Sequence, residues 1–125
     1  MAGRADRSIH LALLAEAVEN APFAVSLFDE HGNYVAVNAK VCELTGYSRE
    51  ELIEIGPFGL AVRGHTFAKR TFEEALAGKR THGTARIRRK DRKELDITYR
   101  IGPTRVGGLP FLVRIYWPTS GDRRG

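Results

Sequence analysis

The stretch DEHGNYVAVNAKVCELTGYSREELI, residues 29–53, contains the local signals that decide how this chain folds. Its first residues, 29–33, form turns readily; a β-rich segment at 23–28 precedes them and another at 34–37 follows. Two such segments joined by a short polar turn predict a β-hairpin. Gly32 fits this interpretation, because glycine accepts the positive φ that tight hairpin turns require.

The rest of the stretch predicts two short consecutive helices. The first is expected over 39–45, with Asn38 placed to bond the backbone at the junction between strand and helix. Gly46 is the kind of residue that ends a helix. Ser48 and Glu51 then have the spacing of a capping box, in which each side chain bonds the backbone of the other residue and starts a new helix.

Two further helices and three further strands are expected outside this stretch. Apolar residues at helical spacing predict an N-terminal helix over 8–20 and a longer helix over 66–77, which Gly78 ends. Alternating apolar and polar residues predict three strands, at 84–89, 94–101 and 111–117. The predicted fold class is therefore α+β, with a five-stranded antiparallel sheet, inserted short helices and an N-terminal helix.

The bulk composition indicates one globular domain. Of the 125 residues, 42% are hydrophobic and 28% charged, which is ordinary for a folded protein. The predicted organisation is a flexible N-terminus at 1–7, a single folded domain at 8–118 and a polar tail at 119–125. Cys42 is the single cysteine, so no internal disulfide can form, and a cytoplasmic location without membrane contact is expected. The apolar run at 11–15 is too short for a signal-peptide core or a membrane span.

The positive charge of the chain is concentrated between residues 79 and 93. This run holds eight basic residues and one acidic residue, Asp91, while the formal net charge of the whole chain is +5. Such a run can attract nucleic acid, an anionic membrane or an acidic partner. Because the run contains no aromatic residue, we expect a solvated hairpin and no specific binding of nucleic acid.

The quoted stretch resembles the core of the PAS family. The matching residues are Asp29, Gly32, Asn38, Gly46, Tyr47, Ser48, Glu51 and Leu52. The RIRRKD run at 86–91 resembles the hairpin between the third and fourth PAS strands. Two departures stand out: Arg92 occupies a position that is often glycine, and residues 61–65 lack the usual His-Pro-Asp-Asp start of the long helix.

The resemblance implies a signal-sensing or protein-interaction module, and not an enzyme. Such a module binds a small ligand or a partner and relays a conformational change, as a stand-alone protein or as the signalling domain of a larger sensor. A ligand-free structural dimerisation module is the alternative. Neither a nucleophile elbow nor a glycine-rich phosphate loop is present in the sequence.

The resemblance also implies a cavity between the sheet and the inserted helices. Candidate walls are Phe58, His65, Phe67, Phe72, Tyr99 and Ile115. The cavity could hold an apolar small molecule or haem, with His65 as a candidate haem ligand, or the same aromatic residues could be plain core. A flavin is not expected, because Cys42 lacks the surrounding motif of the flavin-binding light sensors. The four histidines are too scattered to predict any other metal site.

The N-terminal helix carries two apolar stripes, which predict two contacts. The stripe of Leu11, Leu14 and Val18 is expected to pack on the sheet of its own chain. The second stripe would then face water unless a second copy covers it. A homodimer interface is therefore predicted from this stripe and the outer face of the last strand, with Ile9, Leu13, Ala17, Leu112 and Tyr116 as its residues.

Overall fold

The computed structural model of the chain describes residues 3–119, and it describes side chains from residue 7 onward. Residues 1–2 of the predicted flexible N-terminus and residues 120–125 of the predicted tail lie outside the described residues.

The described residues form a five-stranded antiparallel sheet with helices inserted between its second and third strands. The elements in chain order are α1 (Gly3–Glu19), β1 (Ala24–Asp29), β2 (Tyr34–Val37), α2 (Ala39–Thr45), α3 (Arg49–Ile55), a 3-10 turn (Pro57–Leu60), α4 (His65–Leu76), β3 (His82–Arg88), β4 (Glu94–Val106) and β5 (Leu109–Pro118). The strand order is β2-β1-β5-β4-β3, with every pair antiparallel. The predicted fold class is therefore confirmed. Within residues 3–119, no helix has the length and apolar character needed to cross a membrane.

The hairpin between β1 and β2 is built as its sequence predicts. The Asp29 carboxylate accepts hydrogen bonds from the backbone amides of His31 and Asn33, both at 2.9 Å. Gly32 has a φ of 86°, and a Cβ at this position would come within 2.9 Å of the Phe58 ring. The turn therefore needs glycine both for its conformation and for the close approach of the helical segment above it.

Asn38 fastens the junction where four elements meet. Its side-chain oxygen accepts from the amides of Val25, at 3.0 Å, and Val41, at 3.3 Å. Its Nδ2 donates to the carbonyl oxygens of Val18, at 2.7 Å, and Phe23, at 3.1 Å. Asn38 is buried, so these bonds satisfy backbone groups that water cannot reach.

Gly46 and the capping box separate α2 from α3. Gly46 has a φ of 81°, and its amide donates to the Cys42 carbonyl. The Ser48 hydroxyl accepts from the Glu51 amide at 3.1 Å, and the Glu51 carboxylate accepts from the Ser48 amide at 2.9 Å. The chain thus leaves one helix and enters the next within a few residues, as the sequence predicts.

Two boundaries differ from the sequence prediction by more than two residues. Helix α1 begins at Gly3 and not near Ser8, because the intervening alanine and arginine residues favour a helix. Strand β4 runs on to Val106, so the final turn consists of Gly107 and Gly108 and not of residues 103–110. Both glycines have positive φ, which suits a two-residue hairpin turn.

The prediction for the two faces of β5 is wrong. Leu112 and Tyr116, expected on the outer face, are 0% and 1% exposed and belong to the core beneath the helices. Ile115 therefore points to the opposite face, since side chains alternate along a strand. Both faces of β5 are apolar in sequence, so its pattern alone does not fix which face the helices cover.

We predict that Asn38→Ala lowers the free energy of unfolding by about 2–4 kcal/mol, because it leaves buried backbone groups without partners. Chemical denaturation measures this loss. The control is Asn20→Ala, because the Asn20 side chain donates one exposed bond to Glu16, and its loss should change the free energy by less than about 0.5 kcal/mol. Equal stabilities of the two variants would contradict the role assigned to Asn38.

We also predict that Gly46→Val lowers the melting temperature, since a side chain in the left-handed region costs about 1–2 kcal/mol. Gly102→Val is the matched control. A Cβ at Gly102 would meet nothing within 4 Å, and its φ lies outside the left-handed region. The strand position should tolerate valine without loss. An unchanged melting temperature in Gly46→Val would refute the prediction.

Candidate functional site

A cavity of about 100 Å³ lies between α4 and the inner face of the sheet. The 3-10 turn and α4 form its roof, and β3, β4 and β5 supply the floor. Most of the lining side chains are apolar, and four of the six predicted wall residues take part: Phe58, Phe67, Phe72 and Tyr99. The structure thus brings these four residues together from three separate elements, the 3-10 turn, α4 and β4.

Aromatic rings form one wall of the cavity. The Phe72 ring meets the Phe28 ring edge-on at a centroid distance of 6.0 Å and the Phe58 ring at 5.5 Å. These are favourable aromatic geometries. Phe28, from β1, was not among the predicted wall residues. Its alternation with Ala24 and Ser26 on the buried face is the sequence signal that could have found it.

His65 does not line the cavity. It is the exposed first residue of α4, and its ring packs edge-on against Phe58 at 5.2 Å. Helix-start residues commonly stay at the surface, because the first turn extends beyond the packed part of the helix.

The cavity does not fit haem. A void of ~150 Å³ holds one benzene molecule, and this cavity is smaller, at about 100 Å³. With His65 outside it, no histidine lines the cavity to ligate iron.

Ile115 also lies outside the cavity, on the other face of β5. Ile115 lies there because the inner and outer faces of β5 are the reverse of those predicted. The residue that takes its place is Arg114, which sequence reasoning assigned to the outer face. An arginine in a strand ordinarily indicates a solvent-facing position, so no signal in the sequence pointed to this one.

Three arginines border the cavity, and two of them have acidic partners. Arg80 bonds Glu74 through two nitrogens, at 2.7 and 2.9 Å. Arg86 bonds Asp96 at 2.6 Å. Among residues 3–119, Arg114 forms no ion pair, and the Arg114 Nε is buried without a hydrogen-bond partner.

Arg114 is instead surrounded by aromatic groups. Its guanidinium carbon lies 5.0 Å from the ring centroids of both Phe28 and Tyr116. Burial raises the pKa of the Tyr34 and Tyr116 hydroxyls, and the nearby Arg114 charge acts in the opposite direction on both pKa values. Both tyrosines are therefore neutral hydrogen-bond donors near neutral pH.

Cys42 is a half-buried residue of α2 that does not line the cavity. Burial raises the pKa of its thiol, while the charge of Arg49 opposes this change. A thiol with a raised pKa is a poor nucleophile, and Cys42 packs against the core. Its position and chemistry do not suit a flavin adduct.

Histidine, cysteine and acidic side chains gather nowhere in the described part of the chain in a group that could hold a metal ion.

Acidic side chains lie beside much of the basic run. Across the β3–β4 hairpin, Arg86 pairs with Asp96, and Arg88 pairs with Glu94. Lys90 reaches Glu51 of α3 at 2.7 Å. The run therefore joins the hairpin to the helices and is not a free cationic surface.

The comparisons with known proteins agree with this fold. The family model described as the PAS fold matches residues 12–109. The chain belongs to the PAS family. No curated protein matches its sequence.

Solved structures with this fold share little sequence with the chain. A PAS domain from Desulfitobacterium hafniense is 19% identical, with a TM-score of 0.77, covering 83% of this chain and 99% of that one. A domain of a sensory box sensor histidine kinase/response regulator from Geobacter sulfurreducens is 18% identical, with a TM-score of 0.74, covering 86% and 92%. An RNA-binding Light-Oxygen-Voltage receptor is 18% identical, with a TM-score of 0.78, covering 93% of this chain and 35% of the receptor.

Proposed function

We propose that this chain is a signal-sensing module that binds a small molecule in the cavity between α4 and the sheet. As a homodimer, it relays the binding of that molecule as a conformational change. The observation that carries the proposal is the cavity itself, which has apolar walls and a few convergent polar groups. Cavities of this kind are the usual sites of small ligands. The module is a binding and relay device and not an enzyme.

The kinds of protein in which this fold is found support a signalling role. The Geobacter sulfurreducens domain belongs to a sensor histidine kinase/response regulator. By analogy, we assign this chain the role of an input domain, alone or within a larger sensor. The single cysteine, Cys42, suits a reducing cytoplasm.

Helix α1 supports the homodimer, because its apolar side chains remain exposed. Ile9 and Leu13 of the second stripe are 60% and 62% exposed. Leu14 and Val18 face a groove floored by β1 and β5, yet they are still 49% and 45% exposed. Each such side chain, once fully buried, contributes ~1.5–3 kcal/mol. A second copy that covers α1 would bury several of them.

The partner surface on the sheet differs from the predicted one. Leu112 and Tyr116 are buried in the core and cannot reach a second copy. Ala36 on β2, which pairs with Leu27, and the groove residues Val25, Leu27 and Val113 offer an apolar outer face in their place. The proposed interface thus consists of α1 and the outer face of β1, β2 and β5.

Strand β5 gives the relay a physical route. Arg114 borders the cavity, and its neighbour Val113 borders the groove beneath α1. A ligand that shifts Arg114 would move Val113 with it, because the two share one strand. Binding then favours one arrangement of α1 over another. A ligand can shift such an equilibrium only if it binds one arrangement more tightly than the other.

Two other functions have less support. A ligand-free dimerisation module would use α1 in the same way and leave the cavity empty. The RNA binding of the Light-Oxygen-Voltage receptor is not transferred to this chain, because the acidic partners of Arg86, Arg88 and Lys90 reduce the attraction of the basic run for phosphates.

We predict that Leu13→Glu converts a wild-type dimer into a monomer at tens of micromolar, because it places a charge in the apolar interface. Analytical ultracentrifugation measures the change. The matched control is Leu109→Glu, since Leu109 is also 62% exposed but lies at the tip of the β4–β5 hairpin. The control should remain a dimer. If wild type and Leu13→Glu both sediment as monomers, or both as dimers, the proposed interface is wrong.

We further predict that native mass spectrometry of gently purified protein shows a bound small molecule. Ala68→Phe, on the cavity side of α4, should remove the added mass by filling the cavity. Lys69→Phe is the control, because it adds the same ring at an exposed position of the same helix. A bare protein mass in the wild type would favour the ligand-free alternative.

A further inference from the structure

The cation in the cavity wall is the feature that the proposed function leaves unexplained. Arg114 borders the cavity, and no acidic side chain does. Within residues 7–119, whose side chains are described, no carboxylate pairs with it, whereas Arg80 and Arg86 bond Glu74 and Asp96. The absence of a counter-charge is therefore specific to Arg114 and not a general property of the arginines around this cavity.

The sheet register explains why Arg114 lacks a partner. Its neighbours across the strands are Ser26 on β1 and Ile101 on β4, and neither carries a negative charge. The aromatic rings of Phe28 and Tyr116 hold the guanidinium by cation–π contact. Such contacts stabilise a cation but do not accept its hydrogen bonds.

Unsatisfied polar groups gather around the same position. Among residues 3–119, the buried side-chain atoms without a hydrogen-bond partner are Ser26 Oγ, Tyr34 Oη and Arg114 Nε. Ser26 lies directly opposite Arg114, and the Tyr34 hydroxyl is close enough for the Arg114 guanidinium to lower its pKa through both charge and hydrogen bonding, although neither Ser26 nor Tyr34 lines the cavity. Buried polar groups are nearly always paired in native proteins, so orphaned groups need a physical reason.

A bound anion would supply that reason. A carboxylate is planar and accepts two parallel hydrogen bonds from a guanidinium. A phosphate carries more charge and more acceptor oxygens than the guanidinium of Arg114 can satisfy. The other two arginines in the wall, Arg80 and Arg86, already bond carboxylates, and most of the remaining wall is apolar.

We infer that the cavity selects small monocarboxylates, with Arg114 binding the carboxylate and the rings of Phe28, Phe58 and Phe72 enclosing an apolar body. The inference rests on the proposed function, since it names the class of ligand that the cavity takes. The volume of about 100 Å³ suits a short linear or branched acid.

Three acids and their amides test this selection. Propionate, isobutyrate and isovalerate are titrated into the full chain at neutral pH by calorimetry, each beside the neutral amide of the same skeleton. We expect at least one acid to bind about tenfold more tightly than its amide, because only the acid supplies the missing charge. If no acid binds, or if every acid and its amide bind equally, the inference is overturned.

The variant Arg114→Met tests whether the preference for acids over amides comes from the Arg114 side chain. It replaces the cation with an unbranched apolar chain, so the preference for acid over amide should vanish. The variant should melt no lower than the wild type, since it removes a half-buried charge whose Nε has no hydrogen-bond partner within residues 7–119. The matched control is Arg105→Met, in which the lost arginine donates to the Gly108 carbonyl outside the cavity. This control should keep the full preference.

The outcomes separate the inference from the proposed function. A preference for acids that survives in Arg114→Met overturns the role of Arg114. Amides that bind as well as acids leave a ligand-binding cavity but overturn its selection of carboxylates. An absence of binding by any probe overturns the inference, while native mass spectrometry still decides whether the cavity holds some other ligand.

Discussion

The four hydrogen bonds of the Asn38 side chain join the end of α1 and the loop after it to the start of β1 and the first turn of α2. An amide side chain offers two donor hydrogens and an oxygen with two lone pairs, and at Asn38 all of these are used on backbone groups. One pair of bonds holds the start of β1 and the first turn of α2. The other holds the end of α1 and the loop after it. The insertion of α2 and α3 above the sheet follows from this junction, and so does the direction in which α1 leaves it.

Strand β5 depends on that arrangement, because the helices decide which of its two apolar faces is buried. Leu112, Arg114 and Tyr116 lie beneath the helices, while Val113 and Ile115 face the side of α1. A single strand therefore separates the cavity from the surface proposed for dimerisation. Protein interiors are close-packed and transmit strain. A displacement of a side chain on the cavity face of β5 therefore acts directly on the side chains of the opposite face.

The features that could be predicted from the sequence are those decided by neighbours along the chain. Gly32, Gly46 and the Ser48–Glu51 box act within a few residues, and each is found where the pattern places it. The faces of β5 and the position of His65 are decided by contacts between distant segments. Four of the aromatic residues expected as walls do line the cavity between α4 and the sheet, because the PAS resemblance supplies the distant contacts that periodicity lacks.

Arg86 and Arg114 show that the position of a charged residue in the sequence does not indicate whether its charge is paired in the fold. In the linear sequence Arg86 belongs to a conspicuous basic run, while Arg114 is an isolated cation in an apolar strand. The antiparallel register places Asp96 opposite Arg86 and Ser26 opposite Arg114. The conspicuous charge is therefore paired with an acidic side chain, whereas within residues 7–119 the isolated one borders the cavity without a counter-charge. Arg114 is half-buried and its Nε has no hydrogen-bond partner there, so we interpret the guanidinium as a binding group whose partner is the ligand.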